Sequence, residues 1–344
     1  MDSNLRMNDI LTVGTHNSYK QAISGPIMAM LSAVQPKTAM GLDYSHPGLA
    51  AELDDGARAL EIDIANDPQG GRYAHPMGLT LTAQAPSKDF VAALSKPGMK
   101  VLHVQDLDFR ANCLTFVSCL TIIRTWSRAH PHHVPILITM NTNDEKAHMP
   151  GGVDEMPFDT KAYDALDKEV LSVFSRGDLI TPDLVRGKYA TLREAVMKQG
   201  WPMLGAARGK IMFALDEGEV HNNSYRGGRK TLEGRVFFLN TSEAAADAAY
   251  ITLNEKSDAA RIAAAVKAGF IVRTRADADT VEARANDASR RDWAFGSGAQ
   301  YVSTDYRRPD KRFSPYEARL PNNAIALCNP LRAPARCAGI AIEP

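Results

Sequence analysis

Eight short runs of apolar and β-branched residues recur along this 344-residue chain, and most carry polar side chains at or near their ends. They occupy 11–17, 59–64, 101–104, 135–141, 211–216, 236–240, 270–275 and 301–306. Four to seven residues is the ordinary length of a strand. Helical periods lie between several of them. In 113–129 the apolar residues Leu114, Val117, Leu120, Ile123 and Trp126 recur close to the helical period, and 161–174 repeats the pattern. The stretches 254–268, stopped by Gly269, and 277–293 also read as helices. Strands alternating with helices predict a parallel sheet, and eight of them predict an α/β fold of the (β/α)8 TIM barrel type, distorted by insertions. An open doubly wound sheet usually carries a glycine-rich loop after its first strand; here that strand ends in Thr15-His16-Asn17-Ser18-Tyr19, which has none. No repeat period or Gly/Ser-rich linker divides the chain. The expectation is one domain over 1–344, with its catalytic core at about 11–310 and a C-terminal extension over 311–344.

In such a barrel the active site lies at the C-terminal ends of the strands. Those ends carry His16 and Asn17, Glu61 and Asp63, His103, Asn141, Asp216, Arg273 and Arg275, and Asp305. Chance places some polar residues at strand ends; it less readily places two histidines, several carboxylates and two arginines there. Glu61 and Asp63 are two residues apart, which in a strand aims both side chains the same way. Two such carboxylates repel unless a cation sits between them, and hard oxygen ligands suit Ca2+ or Mg2+. Asn17 and Asn141 add neutral carbonyl oxygens. The structural alternative pairs one carboxylate with an arginine such as Arg273 inside the barrel. His16 and His103 form the candidate proton-transfer pair, although either alone is more often a satisfied core or loop histidine. Arg273 and Arg275 share a face, and guanidinium forks suit phosphate. Together these groups point to phosphodiester chemistry.

Other classes are disfavoured. Forty basic side chains balance forty acidic ones, so no global positive charge draws nucleic acid. No run of about 18 apolar residues exists to span a membrane. The N-terminus, Met1-Asp2-Ser3-Asn4, lacks the basic-then-apolar signal pattern, which leaves a cytoplasmic protein or one whose signal was removed. The cysteines fall as two close pairs, Cys113/Cys119 and Cys328/Cys337. That spacing looks like local disulfide loops and leans towards an oxidising compartment; four buried thiols are the alternative. It is not CxxC spacing, which argues against zinc, and no GxSxG supports a serine-esterase elbow. His130-Pro131-His132-His133 precedes the fourth run, at the barrel bottom, where residues usually serve stability. His75 follows the second run and could reach the mouth; His46, His148 and His221 read as loop residues. The basic run 307–312 is either a solvated face or a patch for an anionic bilayer.

Gly14-Thr15-His16-Asn17-Ser18-Tyr19, Leu60-Glu61-Ile62-Asp63 and Val101-Leu102-His103 resemble the X domain of phosphoinositide-specific phospholipases C. Trp201-Pro202, Arg208-Gly209-Lys210, Val272-Arg273-Thr274-Arg275-Ala276-Asp277 and the segment 297–306 resemble the Ca2+-dependent bacterial branch, single-domain secreted enzymes. The resemblance spans most of the chain. It implies a distorted TIM barrel that binds Ca2+ rather than Mg2+ and cleaves phosphatidylinositol-like lipids. The inositol 2-hydroxyl attacks phosphorus, diacylglycerol leaves, and a cyclic inositol phosphate forms. It implies catalytic roles for His16 and His103, and Ca2+ ligation by Asn17, Glu61 and Asp63, with Asn141 and Asp216 as further metal candidates. Arg273, Arg275 and Asp305 are expected to bind substrate. His103 is expected to protonate or steady the phosphate and leaving oxygen, while a metal-ligand carboxylate deprotonates the hydroxyl. The expected setting is a secreted or periplasmic monomer acting on phospholipid at a membrane surface. One departure stands out: Asn141 occupies a position where these enzymes usually carry glutamate, and Asp144, Glu145 or Asp216 could restore the charge. A glycerophosphodiester phosphodiesterase using water directly, and a silent barrel that binds phospholipid or inositol phosphate, are the competing expectations.

Overall fold

A computed structural model describes residues 2–198, 200–333 and 342–343 of the chain. Its strands in order are Ile10–Thr15 (β1), Ala59–Ala65 (β2), Lys100–Val101 (β3), Ile136–Asn143 (β4), Leu179–Ile180 (β5), Ile211–Leu215 (β6), Phe238–Leu239 (β7), Tyr250–Thr252 (β8), Ile271–Arg275 (β9), Tyr301–Thr304 (β10) and Ala326–Cys328 (β11). One sheet has the order β11-β1-β10-β9-β8; the other is β3-β2-β4-β6-β5, with β7 also on β6. All pairings are parallel except β11 on β1 and β3 on β2. The fold is thus mixed α/β with parallel sheets, as the alternating pattern predicts, but the expected single closed sheet is absent among the described residues.

The two seams explain why. The lower half of β1 is paired with β11, Ile10 opposite Cys328 and Thr12 opposite Ala326. Only its upper half reaches β2, where the Arg58 N–H donates to the Val13 carbonyl at 3.0 Å. There the backbones nearly touch: a Cβ on Gly14 would stand 1.8 Å from the Ala59 carbonyl oxygen, so no larger residue fits. At the other seam β6 pairs with β5 at Ile211 and Met212 and with β7 at Ala214 and Leu215. A lone parallel bridge, Asn240 to Tyr250, then links the end of β7 to β8. At both seams a short strand occupies the N-terminal half, and the sheets meet only towards the C-terminal ends.

The run at 101–104 is corrected. Only Lys100 and Val101 form a strand, and it runs antiparallel to the end of β2. The chain then turns back through Asp106, whose φ is +71°, so His103 sits in a tight loop rather than at a parallel strand end. Tyr250–Thr252 supplies a parallel strand that was too short to see in the sequence. The C-terminal extension is no appendage, because β11 forms one edge of β1.

The helices follow their local chemistry. Phe116–Ala129 buries Phe116, Cys119, Leu120, Ile123 and Trp126, and Thr115 caps it by accepting the Ser118 N–H. A Cys113–Cys119 disulfide staples its first turn. The expected Cys328/Cys337 pairing lies outside the described residues, since Cys337 does. Ala259–Ala268 ends at Gly269, with φ +108°, where a side chain would be strained. The stretch expected as one helix over 277–293 breaks in two, Val281–Ala285 and Ser289–Gly296, because Asn286 between them is left-handed. No helix among the described residues is long and apolar enough to cross a membrane. The insertions after β1, β2 and β3 build a small core of their own around Ile27, Tyr73, Leu79, Leu94 and Phe109, and they wall the mouth above the sheets.

Candidate active site

A cavity of about 670 Å3 opens at the C-terminal ends of β1, β9 and β10, lined by His16, Tyr44, His103, Arg275 and Asp305 among others. Each histidine has its own aspartate. His16 Nδ1 stands 2.8 Å from Asp305 Oδ1, and His103 Nδ1 stands 2.8 Å from Asp108 Oδ2. Because a carboxylate accepts, each ring carries a proton on Nδ1, and His16 Nε2 stands 3.5 Å from Glu61 Oε1. Burial alone would raise the Asp305 carboxyl, but the His16 ring and the Arg275 guanidinium hold it down to about 2. Burial and the charge of Arg275 push His16 below the ordinary histidine value. His103 shifts the other way: burial opposes its charge, yet the hydrogen bond and charge of Asp108 outweigh that and raise it. The two rings are thus poised oppositely, one neutral and one inclined to hold a proton.

Local backbone sets these positions. Asn17 follows β1 with φ +47°, a left-handed conformation that asparagine tolerates better than most residues. The turn from His103 back to Asp108 is closed by the His103 and Val104 N–H groups, both donating to the Asp108 carbonyl at 3.1 and 3.2 Å. Asn143, at the tip of β4, steadies that turn by donating to the carbonyls of Leu102 and His103, both at 3.1 Å. Lys20, fully buried, stands 3.3 Å from Asp108 Oδ2 and donates to the carbonyls of Leu42 and Tyr44.

Below the mouth lie the oxygen-bearing residues. Asp63 and Asn141 are register partners across β2 and β4. The Asn141 amide donates to Glu61 Oε1 at 3.3 Å and to Asp63 Oδ1 at 3.2 Å, standing between the carboxylates. Burial pushes the Asp63 carboxyl up to about 7, and nearby Glu61 adds to this although His103 opposes it. Burial would also raise Glu61, but Arg273, His16 and Arg275 hold it low. Arg273 pairs directly with Glu61 Oε2, donates to Asn254 Oδ1 at 3.2 Å and is 3% exposed. It does not line the mouth cavity, so it neutralises a carboxylate where the sequence expectation had it bind substrate. Asp216 takes the Asn240 amide at 2.8 Å and stands 3.8 Å from Arg273. Asp305 serves His16. A second cavity of about 220 Å3 shares His103 with the mouth and holds Asp63, Asn141, Asn143, Glu145 and Glu155.

The family described as phosphoinositide phospholipase C, Ca2+-dependent, matches the chain over residues 5–330. The chain belongs to this family. It is accordingly an enzyme of the phosphatidylinositol-cleaving phospholipase C class, with Ca2+ as its cofactor. Among solved structures, a calcium-dependent phosphoinositol-specific phospholipase C from Pseudomonas sp. in its apo form has the same fold, with TM-score 0.58 and 16% identity, covering 95% of this chain and 96% of that one. Its myo-inositol complex gives TM-score 0.58 at 17% identity over the same shares. A Ca2+-dependent phosphatidylinositol-specific phospholipase C from Streptomyces antibioticus gives TM-score 0.55 and 17% identity, covering 88% of this chain and 95% of that one. No curated protein matches the chain significantly.

The donor set suits that cation in chemistry. Asn17 is buried, and its Oδ1 has no hydrogen-bond partner while its Nδ2 donates to Tyr44 OH at 2.9 Å. A buried acceptor left unmade is what a hard cation would satisfy. A half-turn of the Asn141 amide would present its oxygen in place of its nitrogen. Among the described residues, however, no three His, Cys, Asp or Glu side chains already form a metal cage. Arg273 and the Asn141 amide account for this, because they occupy the carboxylate oxygens. Of the charges that could replace the missing glutamate, Glu145 lines the smaller cavity, whereas Asp144 faces His221 at 3.6 Å. Glu155 was not singled out in the sequence; it is buried there with Oε1 unpartnered.

Proposed function

We propose that the two sheets act as the halves of one distorted (β/α)8 barrel forming a single domain, and that its mouth cleaves phosphatidylinositol-like lipids by internal attack of the inositol 2-hydroxyl. The observation that carries this reading is the pair of oppositely poised histidine–aspartate dyads on one cavity beside Arg275. His16 accepts the proton of the attacking hydroxyl at Nε2, and the new O–P bond closes the ring. A metal-ligand carboxylate, the base expected from the sequence, is the alternative to His16 in this step. His103 delivers its Nε2 proton to the glycerol oxygen as the P–O bond breaks, so diacylglycerol leaves and a cyclic inositol phosphate remains. Arg275, fixed by Asp305 at 3.3 Å and by the Asp277 carbonyl at 3.0 Å, holds a phosphoryl oxygen. Asn17, Glu61, Asp63 and Asn141 would hold Ca2+, with Asp216 behind them. Bound Ca2+ supplies positive charge to the phosphoryl oxygens and eases ionisation of the hydroxyl.

The substrate is met at a membrane surface. Residues 23–36 carry no charge and form the helix Gly25–Val34 and its exit. Val34 is 72% exposed, and Met40 and Val281, both on the mouth, are 40% and 52% exposed. Exposed apolar side chains rimming a polar cavity suit insertion among lipid headgroups. The 307–312 run contributes less, since Arg308 and Arg312 are paired with Asp55 and Asp43. The disulfide favours a secreted or periplasmic setting, and the enzyme is taken to work there as a monomer.

A phosphorus NMR time course on phosphatidylinositol vesicles tests the reading. The cyclic phosphate is expected first, and His16→Ala, His103→Ala or EDTA should each abolish it. An acyclic phosphate formed without the cyclic species would favour direct attack by water, and full turnover in EDTA would remove the metal role.

A further inference from the structure

We propose that the chain carries a second phosphate site, at the opposite end of the strands from His16 and His103. A cavity of about 290 Å3 opens at the N-terminal ends of β4, β5 and β6. It is lined by Arg124 and Arg128 from the helix Phe116–Ala129, by Arg208 and Lys210 from the turn into β6, and by the single carboxylate of Asp178. Asp178 is already engaged: its Oδ2 accepts the Ser175 N–H at 2.9 Å and the Ser175 hydroxyl at 2.8 Å. Arg208 is engaged too, with Asp2 at 3.0 Å and with the carbonyls of His132 and Ile342. Lys210 donates to the Gly177 carbonyl.

Arg124 and Arg128 differ. Neither is within hydrogen-bond or ion-pair distance of a described residue, although the charges of both help to hold the Asp178 carboxyl low, and Arg124 Nε is buried with no acceptor. A cation late in a helix offsets the helix dipole, which would account for Arg128. It leaves the buried Arg124 N–H unexplained, because a desolvated donor without an acceptor is unfavourable. A doubly charged phosphoryl group supplies several acceptor oxygens and matches two guanidinium forks. The cavity lies near the small end of ligand pockets, roughly 300 Å3, so it suits free phosphate or a small phosphorylated polyol rather than a whole phospholipid. The site stands apart from the proposed reaction and does not depend on it.

Calorimetric titration of the full chain in EDTA, first with inorganic phosphate and then with myo-inositol 1-phosphate, tests this. Wild type and Arg275→Ala should both bind, while Arg124→Ala/Arg128→Ala should bind at least about tenfold more weakly. In Arg275→Ala, where the mouth's phosphate fork is gone, tighter binding of the inositol phosphate than of phosphate would identify a headgroup site; equal binding would identify free phosphate. If the double alanine variant fails to fold, Arg124→Lys/Arg128→Lys keeps the charge and loses the forks, and about tenfold weaker binding is again expected. Wild-type affinity in either folded double variant overturns the proposal, as does loss of all binding in Arg275→Ala.

Discussion

Asp108 secures His103 through one oxygen: its Oδ2 lies 2.8 Å from His103 Nδ1 and 3.3 Å from Lys20 Nζ. Both the aspartate and the lysine are buried. A single carboxylate therefore fixes the proposed catalytic ring and neutralises a buried ammonium. Asp108→Asn should lower kcat by roughly a hundredfold with little change in KM, the size expected when a general acid loses its charge partner. It should also destabilise the fold by about 3 kcal/mol, because Lys20 is left buried and unpaired. Adding Lys20→Met should restore stability in urea melts but not kcat. Recovery of both would show that Asp108 acts only in packing.

Asn141 offers the clearest test of the cation site. Its amide bridges Glu61 and Asp63. Asn141→Glu should therefore melt at lower temperature in EDTA, since three carboxylates then crowd one end of the sheet. Ca2+ should raise its melting temperature more than that of wild type, with half-saturation at about tenfold lower concentration. An unchanged response to Ca2+ would place Asn141 outside the ion's shell.

The Cys113–Cys119 disulfide closes a short loop at the start of the helix Phe116–Ala129, and neither cysteine lines the mouth cavity. Cys113→Ser/Cys119→Ser should cost about 2 kcal/mol in chemical denaturation while leaving kcat near the wild-type value. A large loss of kcat in the folded variant would mean that the staple also shapes the site.

His133 links stability to pH. Its Nδ1 donates to the Val134 carbonyl at 2.6 Å, so its Nε2 accepts the Ser127 hydroxyl at 2.7 Å and the ring is neutral. Burial pushes its pKa down from 6.5 to about 4. The unfolded chain therefore binds this proton more readily than the folded one. The stabilisation is complete above the unfolded value and is lost as pH falls from about 6.5 towards 4, on the order of 3 kcal/mol in all. Urea melts of His133→Gln should show a flatter dependence across that window. An unaltered slope would assign the acid sensitivity to other groups.

Much of this was legible in the sequence because strand ends carry chemistry. His16, Glu61, Asp63, Asn141 and Arg275 stand where short apolar runs stop, and the fold gathers them. The partners were harder to see. Asp108 pairs with His103 only because the chain reverses at Asp106, and a left-handed aspartate leaves no periodic trace. Tyr44 and Lys20 belong to an insertion whose packing depends on residues far along the chain. Arg273 could not be told from Arg275 by spacing: both share a face, but one is buried against Glu61 and the other opens to the cavity. The seams between the sheets escaped because β5, β8 and β11 are two or three residues long, below what periodicity can resolve.

The strand that leads into His16 is flanked by β10 and β11, both made long after it. Thr12 finds its partners only at Tyr301 and Ala326. Until those arrive, β1 has open edges and Asp305 is not yet there to orient His16. At typical elongation rates the wait is on the order of tens of seconds. The nascent chain therefore cannot orient His16 until β10 and the Asp305 that follows it have been made.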